Sequence, residues 1–126
     1  MPMDEPSEPT TTPLEVTPAS TRDQLREVRD DEDPNAGPLL LDCRTEAEAR
    51  VARIEGSTLI PMNELPERIG ELAHERGRSI IVYCHHGVRS LRVAAYLREQ
   101  GFERAQSMRG GIDAWSQTID PSIPRY

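Results

Sequence analysis

The sequence predicts an α/β fold, a parallel β-sheet of about five strands flanked by helices on both faces. Three observations carry that reading. "LLLDC" (Leu39 to Cys43) and "SIIVYC" (Ser79 to Cys84) are continuous apolar runs of strand length, the pattern of strands buried on both faces. Segments with helical spacing and capping residues alternate with the strand candidates. The connections between them are short, as βα units require.

Taken in order, residues 1–12 are rich in proline, threonine and acid and have little to bury, so a flexible tail is expected there and a single folded domain over 13–126. "LEVTP" (Leu14 to Pro18) suits a short strand, and Ser20 or Thr21 can cap a helix running through Leu25 and Val28 until "DDEDPNAGP" breaks it. After the "LLLDC" strand, Thr45 with Glu48 three residues on is a capping-box pattern opening a helix. "STLIP" reads as a strand, and "NELPERIGELAHERG" as a helix with Leu65, Ile69 and Leu72 on its apolar face and a stop at Gly77. "SIIVYC" is the most apolar strand candidate; the helix after it, "SLRVAAYLREQG", ends at Gly101. "RAQSM" is the last strand and "GGIDAWS" opens the last helix.

Composition narrows the function classes. Of the net charge of −7, all the excess lies in residues 1–35, with ten acids against three arginines; residues 36–126 balance twelve acids with twelve arginines. No basic stripe with interleaved aromatics exists, so a nucleic-acid partner is not expected. All fifteen basic residues are arginine, which removes lysine-based chemistry. No apolar run reaches the ~18 residues that would suggest a membrane span. The first residues lack the basic start and apolar centre of a secretory signal, and two cysteines are too few for a disulfide framework; a cytoplasmic setting is the expectation.

The chemistry concentrates in "CHHGVRS". In a parallel sheet, ligands sit beyond the carboxyl ends of strands, where the next helix points its amides. Cys84 stands there. The helix dipole and converging N–H groups favour a thiolate, Arg89 adds positive charge, Gly87 lets the loop curl inward, and Ser90 can cap the following helix. A buried cysteine is ordinarily a small hydrophobe. That bland reading suits Cys43, which no glycine loop follows, and leaves the residues after Cys84 unexplained. His85 and His86 lack a second ligand cluster with zinc spacing, so no metal is expected; their role is to modulate field and access around Cys84, or simply to be solvated.

"CHHGVR" resembles the active-site loop of rhodanese-type sulfurtransferases, with cysteine and arginine separated by four residues and glycine third among them. "LLLDCR" resembles the family's strand ending in Asp-x-Arg, and "RGGIDAW" its C-terminal Gly-Gly signature with tryptophan. Between them, Ala52 to Ser57 reads "ARIEGS" and retains only Ile54 and Gly56 of the family's usual segment.

The resemblance implies a rhodanese-like fold without a cofactor. It also implies a reaction in which Cys84 accepts a sulfane sulfur from thiosulfate or a protein persulfide, holds it as a persulfide, and passes it to a thiophilic acceptor. The loop His85, His86, Gly87, Val88, Arg89 and Ser90 would bind the substrate and stabilise the charged sulfur. Asp42 and Arg44 would be architectural, and Trp115 would belong to the core. The C-terminal stretch also resembles rhodanese domains joined to adenylating enzymes, which implies a ubiquitin-like sulfur carrier as an acceptor. Two alternatives stand beside this. Rhodanese-fold phosphatases and arsenate reductases have a longer loop, and the four-residue gap here suits a single sulfur better. A non-catalytic binding module would be marked by loss of the cysteine, and Cys84 is present.

Overall fold

The chain was analysed as a computed structural model that describes residues 12–27 and 37–126. Five strands, β1 (Glu15–Val16), β2 (Leu39–Asp42), β3 (Thr58–Leu59), β4 (Ile80–Tyr83) and β5 (Ala105–Met108), form one sheet in the order β1-β5-β4-β2-β3. Every pairing is parallel, as the continuous apolar runs require. The helices are α1 (Pro18–Arg26), α2 (Glu46–Val51), α3 (Leu65–Arg68), α4 (Val88–Glu99) and α5 (Gly111–Thr118).

All four residues of central β4 are buried, and the period-2 alternation of a strand splits the core into two layers. Ile80, Val82 and Cys84 face a layer containing Leu65, Leu72, Val93, Leu97 and Phe102, from α3, α4 and the segments around them. Ile81 and Tyr83 face the other, with Leu40, Met108, Ile112 and Trp115, where Leu25 of α1 also packs. Trp115 is therefore a core residue, as expected. Each fully buried large apolar side chain contributes roughly 1.5–3 kcal/mol. Among the described residues, no helix is long and apolar enough to cross a membrane.

Several local expectations are corrected. Thr17, not Ser20 or Thr21, caps α1, accepting from the Ser20 N–H with Pro18 in the first turn. Helix α1 ends at Arg26, and Val28 lies outside the described residues, as does the tail except Thr12. The segment read as one helix over "NELPERIGELAHERG" is two 3₁₀ stretches, Met62–Glu64 and Ile69–Glu75, flanking one turn of α-helix, α3. Pro66 has no N–H to bond the Met62 carbonyl in the α pattern, and the Leu65 N–H takes it instead, one residue early. Gly77 does not adopt a left-handed φ there, whereas Gly101, at φ +99°, ends α4 as expected. The Phe102 N–H bonds Leu97 and the Gly101 N–H bonds Arg98, a Schellman closure. The Thr45–Glu48 capping box is present in full.

Candidate active site

Cys84 follows the last residue of β4 and is 1% exposed. The chain then turns through Gly87, whose φ of +101° suits a residue without Cβ, so α4 starts at Val88. Gly87, not Ser90, is thus the N-cap residue. Ser90 sits one turn inside, where its N–H reaches Cys84 Sγ at 3.3 Å and its hydroxyl lies 3.4 Å from the same sulfur, held by Ser107 Oγ at 2.7 Å. The Gly87 N–H adds a third contact at 3.1 Å. Of the loop amides, those of Gly87 and Ser90 hold the sulfur directly.

Cys43 ends β2 beside it. The neighbouring Cys43 thiol foremost, then the Ser90 and Gly87 contacts, outweigh burial and hold the Cys84 thiol well below its ordinary value. Cys43 shifts the opposite way: the bond to Cys84 and burial both push it up. The two shifts favour the anion on Cys84 and the thiol on Cys43.

Arg89 does not point its guanidinium at the sulfur. It forms a two-pronged ion pair with Glu48, 2.7 and 2.9 Å long, and acts on Cys84 only through its field. Glu48, the capping-box residue of α2, also accepts from Tyr126 Oη at 2.8 Å. Burial holds the Tyr126 phenol up at about 12, so near neutral pH it is a donor to Glu48 and an acceptor from Arg44 Nη1 at 2.8 Å. Arg44 and Asp42 are both fully buried and bonded through Nε to Oδ1 (2.9 Å) and Nη2 to Oδ2 (2.8 Å), with further bonds from Arg44 to the Ala52 and Glu48 carbonyls. Tyr83 Oη reaches the same carboxylate at 3.2 Å and receives the Ile54 N–H. Asp42, Arg44, Tyr126, Glu48 and Arg89 therefore tie the end of β2 to the loop. From sequence, Glu48 is read only as a capping-box residue and Tyr126 is not singled out.

His85 stacks between His86 and Tyr126, with both ring separations 3.9 Å. His85, His86 and Asp113 bring potential ligand atoms within 4.8 Å of one another. Imidazole lone pairs lie in the ring plane, so an ion shared by these stacked rings would sit out of both planes. The Asp113 carboxylate is also bound by Arg125 and Gln117. Val88 is 66% exposed beside the loop.

Helix α5 supports the loop from below. The Ile112 N–H bonds the Cys84 carbonyl at 2.8 Å and the Asp113 N–H bonds the His85 carbonyl at 3.1 Å. A Cβ on Gly111 would overlap both of those carbonyl oxygens. The Gly-Gly signature thus places a helix start directly under the cysteine loop.

A family profile described as rhodanese-like domain matches residues 21–118. The chain is 39% identical over 79 residues to a protein named sulfurtransferase from Allochromatium vinosum, covering 63% of this chain and 72% of that one. It is 35% identical over 118 residues to the Adenylyltransferase and sulfurtransferase MOCS3-2 of Zea mays, covering 90% of this chain but 24% of that protein. The chain thus spans about a quarter of the length of the MOCS3 relatives it matches. Among solved structures, a rhodanese-related protein from Thermoplasma volcanium aligns with a TM-score of 0.71 at 26% identity, over 89% of this chain and 98% of the other. With this fold, a cysteine loop at the end of β4 and relatives named as sulfurtransferases, the chain belongs to the rhodanese-like domain family.

Proposed function

We propose that the protein is a sulfurtransferase in which Cys84 carries the sulfane sulfur. The observation that supports this most is the convergence of the Gly87 and Ser90 N–H groups and the Ser90 hydroxyl on the Cys84 sulfur at the start of α4, which lowers its thiol from the ordinary value. The thiolate attacks the sulfane sulfur of the donor; a new S–S bond forms and sulfite or a donor thiolate leaves with the electron pair of the broken bond. A thiophilic acceptor then attacks the outer sulfur of the persulfide, and the Cys84 sulfur leaves as the thiolate that began the cycle. Asp42 and Arg44 hold the loop's base, and the loop from His85 to Ser90 surrounds the reacting sulfur.

Charge and the relatives each support one choice of donor and of acceptor. Glu48 offsets the Arg89 charge, so a thiosulfate dianion meets less positive potential than the sequence suggests, which favours a protein persulfide over thiosulfate. Relatives named adenylyltransferase and sulfurtransferase support a ubiquitin-like sulfur carrier as the acceptor. A reducing compartment, the cytoplasm, suits the two free cysteines. Intact-mass measurement after exposure to each donor is the test. The native chain gains the mass of one sulfur and delivers it to cyanide, while Cys84→Ser does neither, because a serine hydroxyl at neutral pH is a poor nucleophile. Sulfur retained on Cys84→Ser, or none gained by the native chain from any donor, would sink the proposal.

A further inference from the structure

We propose that Cys43 is a positioning residue for the sulfur carrier, its buried thiol donating a hydrogen bond to the Cys84 sulfur. The inference rests on the reading of Cys84 given above. Strand pairing aligns Leu41 with Val82 and Asp42 with Tyr83, and the Cys43 N–H continues the ladder to the Tyr83 carbonyl at 3.1 Å. The next pair in register is Cys43 and Cys84. Both side chains turn to the α4 side of the sheet, and each is 1% exposed.

Two thiols side by side in a dry pocket do not ionise alike. The Gly87 and Ser90 N–H groups converge on Cys84, where the Ser90 hydroxyl also lies 3.4 Å away, so the anion sits there and the remaining proton stays on Cys43. The charged groups whose fields reach Cys43 are Asp42, at the end of β2 with its carboxylate on the other face of the sheet beside Arg44 and Tyr83, and Arg89, in the first turn of α4. Asp42 and burial oppose a second anion on Cys43 more than Arg89 favours one. As a thiol, Cys43 is a poor nucleophile and a serviceable donor. In the second half-reaction the Cys84 sulfur departs from the outer sulfur as a thiolate, and a donor already aimed at it stabilises the charge that develops.

The test is the pH dependence of Cys84 alkylation by iodoacetamide, located by peptide mapping, in the native chain, Cys43→Val and Cys43→Ser. Valine fills the space without a donor, and serine restores one. Cys43→Val is expected to raise the alkylation midpoint by about one pH unit, tenfold less thiolate below it, and Cys43→Ser to recover part of the shift. Should valine not be accommodated, Cys43→Ala makes the same comparison. Equal midpoints in all folded variants would reduce Cys43 to packing. A Cys43–Cys84 disulfide after donor exposure, with sulfide displaced from the persulfide, would make it a resolving thiol and overturn the donor role. The titration needs no sulfur donor, so a shifted midpoint in a chain that never gains sulfur would refute the transfer reading and leave the pairing standing.

Discussion

Glu48 links the cysteine loop to α2 and the C-terminus, binding Arg89 with both oxygens, Tyr126, and the N–H and hydroxyl of Thr45. Those bonds, that of Arg89 foremost, hold its carboxyl well below the usual carboxylate range despite partial burial. A depressed folded value means that the stabilisation is complete above the unfolded value of about 4.3 and is lost as pH falls through the folded one. Glu48→Gln is therefore expected to cost about 1 kcal/mol at pH 7, the pair being partly exposed, and to lower the melting temperature by a few degrees. Thermal melts across pH check this: the gap to the native chain should narrow steadily below pH about 4, whereas a constant gap would assign the loss to packing. Cys84 could be read from sequence because its supporting residues follow it within one turn. Glu48 could not. Its partners lie 41 and 78 residues away, and a capping-box glutamate already has a sufficient local explanation.

At the level of elements, the alternation of strands and helices along the chain was legible because buried parallel strands leave unbroken apolar runs. The errors fell where one residue could serve two local roles. Ser90 looked like a cap, but a glycine with positive φ starts α4 earlier and turns Ser90 onto the sulfur. Leu65, Ile69 and Leu72 fit a helical stripe, yet Pro66 interrupts the α pattern beneath it. The least legible contact was the start of α5 against the cysteine loop, because a close backbone approach leaves only glycine as its trace. Gly111→Ala should show it. At φ +62° alanine costs about 1–2 kcal/mol, and its Cβ meets two backbone carbonyl oxygens that no rotamer change can move. The expected outcome is a melting temperature lower by roughly 5 °C or more and slower sulfur loading, since the Cys84 and His85 carbonyls shift together. Gly77→Ala is the control, with open space around it and no left-handed φ, and should melt at or slightly above the native temperature. Equal melting of the two variants would show that α5 adjusts without disturbing the loop.

Across the whole molecule, the excess of acid lies in residues 1–35. The first strand is β1, and the described structure ties the residues just before it to the adjacent strand β5 and to α4. The Pro13 carbonyl accepts from Arg98 Nη2 and Gln106 Nε2, both at 2.8 Å, and the Leu14 carbonyl accepts from the Ser107 N–H at 2.7 Å. Every one of those contacts survives a start at Pro13. Residues 1–12 contribute three acids, no basic residue and two methionines as their only large apolar side chains, too little to build a packed interface. We propose that 13–126 is the complete folding unit of this chain. Deleting residues 1–12 is expected to leave the melting temperature within about 1 °C and the rate of sulfur loading unchanged. Loss of three negative charges should speed capture of an anionic donor slightly at low ionic strength, and that difference should vanish near physiological salt, where charges more than about 8 Å apart are screened. Melting and donor-loading rates at two salt concentrations decide the matter: a fall of several degrees, or loading lost at both salts, would mean that the first twelve residues dock on the domain and complete it.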